Sequence, residues 1–364
     1  GADQVGGHLQ AGEGLGRMKG QILDFSRPCR LSCLPEEDFS DRMETVVEPF
    51  LDQIRQPRFL KPRAAAGGAK DGSVLEPGLY CELYPNPDAR ATIAISYGFS
   101  ESCLKYRELI YYFHSQGYQV AILDHRGHGK SFREVEDPSV VHVDLFTRYV
   151  RDFHRFVEKV VKPASCGKPL LLFGHSMGGC IGALYLEQYP QDFSGAVLSA
   201  PMLGLKLGAC PPWAARVLCD FQVFAGRGKE RLFTQSAFDP EEPFLKSSAS
   251  SFARFSYYRE IRRNTPECRT SCASYDWGRE AINAGNFAVR PSQTKKIPVP
   301  VLLFQAGQDS LVTPSAQKKF ISGVPRGRLV IVPGVRHEIY RAPNETLAPY
   351  LETIFLFFDE ICGG

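Results

Sequence analysis

The chain has 364 residues, 43% of them hydrophobic and 23% charged, with a formal net charge of +3 from 43 basic and 40 acidic side chains. That length exceeds the usual domain mode of about 100–150 residues and suits one large α/β core carrying an insertion. The balanced charge argues against the clustered basic stripe of a nucleic-acid partner, and the absence of any run of ~18 apolar residues argues against a bilayer span. The eleven cysteines are odd in number and form no C-x-x-C pair, so neither a disulfide framework nor a zinc site is expected.

In chain order, residues 1–20 hold seven glycines and read as a disordered tail without the apolar core of a secretory signal. Met43, Val46, Val47, Phe50 and Ile54 recur at helical spacing, predicting a short helix over 38–54. A loop over 61–73 follows by composition. Strands are then predicted at 79–84, 91–97 (ATIAISY) and 118–123 (YQVAIL), with a helix over 102–116 between the last two. An amphipathic helix spans 145–161, a strand 169–173 (PLLLF) and a helix runs on to about 189. Further strands fall at 195–199, 299–304 and 328–332, and a closing helix at 346–358. Apolar strands without alternation, each followed by a helix, predict the α/β class: a mostly parallel sheet with helices on both faces.

Between residues 201 and 296 that rhythm stops, and aromatics and arginines dominate. A stretch of that length between two sheet strands far exceeds an ordinary loop and predicts an inserted helical cap. The expected organisation is therefore an N-terminal extension, partly disordered, over 1–78; a core in two parts, 79–201 and 297–364; and a cap over 202–296.

Gly174-His175-Ser176-Met177-Gly178 fits G-x-S-x-G in the required context, an apolar strand before and a helix after. A serine on that turn projects its hydroxyl above the sheet edge, and the glycines two residues to either side make room for neighbouring backbone. Ser176 is thus the candidate nucleophile. A serine hydroxyl needs a base, and the base needs an orienting carboxylate. In this kind of fold the order is serine, acid, histidine. His337 is the one histidine after Ser176 and follows the strand RLVIV, so it is the candidate base. Asp309 ends VLLFQAGQD and is the candidate acid, against Glu338, which adjoins the base, and Asp276 in the cap. Two backbone amides should hold the oxyanion. Met177 follows the nucleophile and supplies one; Phe99, after the turn at Gly98, is the candidate for the other.

Several stretches from residue 79 to the C-terminus resemble a known family. They include Glu101-Ser102 with Lys105-Tyr106, the run DHRGHGKS at 124–131, the GHSMGG elbow, Ser199-Ala-Pro-Met202, Tyr275-x-Trp277 and His337-Glu338-Ile339. The resemblance is to the lysophospholipase L2 and monoacylglycerol lipase branch of the α/β-hydrolases, the serine aminopeptidase S33 or hydrolase-4 group. It implies an α/β-hydrolase fold, hydrolysis of a carboxylic ester in a single-chain lipid through an acyl-enzyme on Ser176, and no metal or organic cofactor. The Ala-Pro-Met and Tyr-x-Trp features lean toward lysophospholipase L2, and Tyr97-Gly98 departs from the His-Gly usual in monoacylglycerol lipases. Tyr97, Arg262, Arg263 and Trp277 are expected at the substrate, with Arg254 and Arg259 as further candidates to meet a phosphate. His125 and His128 belong to a run that is a structural turn in this fold rather than a metal pair. Monoacylglycerol lipase, general carboxylesterase or peptidase, and a non-catalytic hydrolase-like interaction protein are the alternative functions. The expected partner is a lipid, with transient contact at a membrane surface and a cytoplasmic or peripheral-membrane location.

Overall fold

The computed structural model describes residues 20–65, 67, 72 and 75–363; all of the expected tail but Gly20, and part of the 61–73 loop, lie outside the described residues. Nine strands among these residues form one sheet. They are β1 (Gln21–Ile22), β2 (Gln56–Leu60), β3 (Leu79–Tyr84), β4 (Ala91–Ser96), β5 (Tyr118–Leu123), β6 (Leu170–His175), β7 (Gly195–Ser199), β8 (Val301–Ala306) and β9 (Gly327–Val332). Across the sheet they run β1-β9-β8-β7-β6-β4-β5-β3-β2. Neighbours from β1 to β5 are parallel; β3 and β2 are antiparallel additions.

Alternate residues of the central strands feed two separate cores, as the period of two requires. Ala94, Ala121, Leu172 and Leu303 point to one face, against Tyr149, Phe153, Ile181, Leu184 and Phe320. Ile93, Val120, Phe173 and Phe304 point to the other, against Leu109, Phe113, Tyr350, Ile354 and Phe358. Both faces are therefore covered by helix, which is why these strands read as unbroken apolar runs. The chain is an α/β-hydrolase fold.

The described part of 1–78 is not an appendage. It supplies β1 and β2, one at each edge of the sheet. Its helical segment, Phe39–Arg42, Met43–Val47 and Glu48–Ile54, buries Phe39, Met43, Val47 and Leu51 in the second core. Val46 and Phe50, which share in that helical spacing, stay at the surface, because the buried stripe repeats every four residues from Phe39. Between β7 and β8 lie the helices Pro212–Phe224, Phe252–Asn264, Tyr275–Ala288 and Pro291–Thr294. Tyr275–Ala288 packs on Met177–Gln188, the helix that follows the elbow. No helix of the described residues is long and apolar enough to cross a membrane.

Candidate active site

The turn between β6 and the helix Met177–Gln188 holds Ser176 at φ 52, ψ −118, a left-handed conformation that non-glycine residues adopt only under local constraint. The constraint is crowding. A Cβ at Gly178 would lie 2.0 Å from the Ser96 carbonyl oxygen, and one at Gly174 would lie 2.8 Å from that of Gly178. Glycine at 178 lets the helix approach β4 this closely, and glycine at 174 lets it turn back tightly on β6. The serine hydroxyl consequently stands at the C-terminal edge of the sheet.

Asp309 and His337 arrive at the same edge from the loops after β8 and β9. The Gly307 and Gln308 amides donate to the carbonyls of Val332 and Val335, tying the two loops together. His337 Nε2 lies 2.7 Å from Ser176 Oγ, and its Nδ1 lies 2.7 Å from Asp309 Oδ2. The second carboxylate oxygen, Oδ1, accepts from the amides of Leu311 at 2.8 Å and Val312 at 3.1 Å. Burial alone would raise the pKa of Asp309. The bond and charge of His337 and those two amides outweigh burial and hold it below the ordinary carboxylate value. An ionised Asp309 fixes the Nδ1–H tautomer, leaving Nε2 free to take a proton from the serine hydroxyl. All three side chains are buried. The sequence-predicted residues are thus brought together. The rivals are not: Glu338 bonds Lys105 at 2.7 Å and Arg341 at 2.6 Å, while Asp276 pairs with Arg279.

Neither the Phe99 nor the Met177 amide donates to a protein acceptor among the described residues. The loop carrying Phe99 is held by Glu101, Tyr106 and His128, which the resemblance quoted without a role at this loop, and by Tyr340, which sequence reasoning did not single out. Buried Glu101 accepts from the Gly98 amide at 3.0 Å and from the Tyr106 and Tyr340 hydroxyls at 2.6 and 3.1 Å. Burial would raise its pKa, but the Lys105 ammonium and His175 together keep it lowered. Ser100, at φ 60, donates its amide to His128 Nε2 at 3.0 Å. Because that nitrogen accepts, His128 Nδ1 carries the proton and donates to the Arg126 carbonyl at 3.0 Å. The DHRGHGKS run is therefore a turn that braces the loop at Gly98–Ser100.

That brace has a pH consequence. Burial pushes the His128 pKa down to about 4, and burial pushes that of His125 well below its ordinary value. Both are neutral when folded, whereas an unfolded histidine titrates near 6.5. Below that value the unfolded chain takes up protons that the folded chain refuses, so stability is full above about pH 6.5 and declines as pH falls toward 4. His128 alone should cost about 2 kcal/mol at pH 5, and His125 acts in the same direction. The thermal midpoint is expected to drop steadily from pH 7 to pH 5; a flat profile over that range would contradict neutral burial.

Three of the expected substrate contacts are relocated. Tyr97 is fully buried and donates its hydroxyl to Asp124 at 2.9 Å, so it secures the loop and is withheld from ligand. Arg263 is on the surface, paired with Glu241 at 2.8 Å and Glu260 at 3.0 Å. Arg254, buried, grips Glu108 and the Ala342 carbonyl, tying the helix Phe252–Asn264 to residues on either side of it in the chain. Arg262 spends two of its nitrogens on the carbonyls of Cys268 and Thr270 while lining a cavity beside Ser100. Trp277 packs its ring 4.6 Å from that of Phe99, so it touches the loop after β4. Among the described residues, His154, Glu158 and Asp192 are close enough to share a cation, but the Lys162 ammonium already bridges both carboxylates.

Residues 87–344 match the model of the Hydrolase_4 family, described as serine aminopeptidase, S33. The chain is 30% identical to a lysophospholipase L2 of Escherichia coli strain K12, over 73% of its own length and 80% of the relative's. It is 25% identical to a monoacylglycerol lipase of Mycolicibacterium smegmatis, over 72% and 86%. In structure it is similar to a soluble variant of monoglyceride lipase from Saccharomyces cerevisiae, with a TM-score of 0.64, 19% identity and coverage of 83% of this chain and 95% of that one.

Proposed function

The chain belongs to the Hydrolase_4 family of lipase- and esterase-type serine hydrolases, and on that premise we propose that it is a lysophospholipase working through an acyl-enzyme on Ser176. The observation that carries this reading is the unbroken hydrogen-bonded line from Ser176 through His337 to Asp309. Ser176 Oγ attacks the carbonyl carbon of the acyl ester as His337 Nε2 takes the hydroxyl proton. The oxyanion that forms accepts from the amides of Phe99 and Met177, the latter at a helix N-terminus where partial positive charge gathers. Collapse breaks the ester C–O bond, and the glycerol oxygen leaves with the proton held by His337. Water, deprotonated by the same imidazole, then releases the fatty acid and restores the serine.

A lysophospholipid substrate is favoured by similarity to lysophospholipase L2 over most of the chain and by Tyr97-Gly98 in the oxyanion loop. The helix Pro212–Phe224 turns Trp213, Val217, Phe221 and Phe224 to solvent, with Phe224 91% exposed. Apolar surface of that kind suits contact with the lipid aggregate from which a monoacyl substrate is drawn. The second reading, a monoacylglycerol lipase, is favoured by the similarity to the M. smegmatis enzyme. Hydrolysis rates on lysophosphatidylcholine, lysophosphatidylethanolamine, monoacylglycerol and p-nitrophenyl esters separate the two. At least one lysophospholipid should match or exceed monoacylglycerol in kcat/KM; monoacylglycerol faster than every lysophospholipid would reverse the assignment.

A further inference from the structure

A cavity of about 140 Å³ is lined by the chain neighbours of two site residues. One wall is Ser100, next to Phe99; another is Glu338, next to His337; the cap closes it with Lys246, Arg259 and Arg262. The volume is well below the ~300–1,000 Å³ that holds a drug-sized ligand, so it suits a small polar group and not an acyl chain. Five cations line it: Lys105, Arg341 and the three from the cap. They face three carboxylates, Asp239, Glu242 and Glu338.

The balance of commitments matters more than the count. Lys105 and Arg341 are both spent on Glu338. Arg262 is held by two carbonyls, with Glu242 at 4.0 Å. Lys246 makes no ion pair among the described residues. Arg259 makes none either: it donates to the Glu242 carbonyl at 3.3 Å, stacks 5.0 Å from the Phe255 ring, and leaves its buried Nε without a partner. A guanidinium and an ammonium with no carboxylate oxygen within 4.0 Å, in a lining where five cations face three carboxylates and beside serines 100, 247 and 248, make a cradle for a tetrahedral oxyanion.

We infer that this cavity binds the phosphate of the substrate head group, with Lys246 and Arg259 as its principal contacts, and so sets a preference for anionic over neutral monoacyl lipids. The inference rests on the lysophospholipase reading. Charge-assisted hydrogen bonds from two such groups are strong enough to change specificity by about tenfold or more.

The test compares wild type with Lys246→Gln and with the double variant Lys246→Gln/Arg259→Gln. The readout is the ratio of kcat/KM on lysophosphatidylglycerol to that on p-nitrophenyl butyrate. That ratio should fall at least tenfold in the double variant and by a smaller step in Lys246→Gln, whose exposed side chain carries no structural bond. Should wild type hydrolyse lysophosphatidylglycerol and the ratio stay constant in both variants, the head-group cavity is refuted while the lysophospholipase reading stands. Should wild type hydrolyse no lysophospholipid, that reading fails, and calorimetric titration with glycerol 3-phosphate decides the cavity on its own. Binding lost in the variants would make it a site for a free phosphate ester; no binding to wild type would overturn it.

Discussion

His337→Ala should lower kcat on any ester substrate by roughly 10⁵ to 10⁶, with the protein still folded. The size follows from the unit character of the relay: without the imidazole, the Ser176 hydroxyl has no base within reach, and removing one member costs nearly as much as removing all. Ser176 and Asp309 each lose their 2.7 Å partner. Asp309 nevertheless keeps the amides of Leu311 and Val312, so its buried carboxylate is not stranded and a fold-wide loss is not expected. Steady-state kinetics with circular dichroism as a folding control checks both halves. A variant within about 100-fold of wild type would mean that another group serves as base.

Asp309→Asn should be nearly as severe, a loss of kcat of about 10⁴, for a geometric reason. The Leu311 and Val312 amides both donate to Oδ1. In the variant they require an oxygen there, which forces the new amide nitrogen toward His337. That nitrogen donates to Nδ1, so the ring proton shifts to Nε2, the atom that must accept from the serine. Binding of substrate is little affected, so KM should change far less than kcat. A large rise in KM with kcat preserved would show that Asp309 acts on substrate rather than on the histidine.

The relay was legible in the sequence because each member sits where pattern and position coincide. The elbow has glycines at fixed spacing, one histidine follows it, and the aspartate ends an apolar strand. The α/β class was legible for the same reason, since a strand covered on both faces must be apolar throughout. What escaped depends on partners distant in the chain. Glu101 links the loop at Gly98 to Tyr340, 239 residues away, and no local spacing announces that. Tyr97 is taken up by Asp124, and Arg254 by Glu108, so chemically suitable side chains are unavailable to ligand. The edge strands β1 and β2 left little trace: one has two residues, and the other is largely exposed and contains Pro57, which an edge tolerates and a central strand does not.

In the proposed reaction Ser176 Oγ is the nucleophile that takes up the acyl group. A fluorophosphonate reacts with a serine only when a neighbouring base activates it, so the whole chain is labelled and the adduct located by peptide mass spectrometry. The adduct should lie on the peptide containing Ser176, form at a single site, and vanish in Ser176→Ala. An adduct on another residue, or undiminished labelling of that variant, would contradict it.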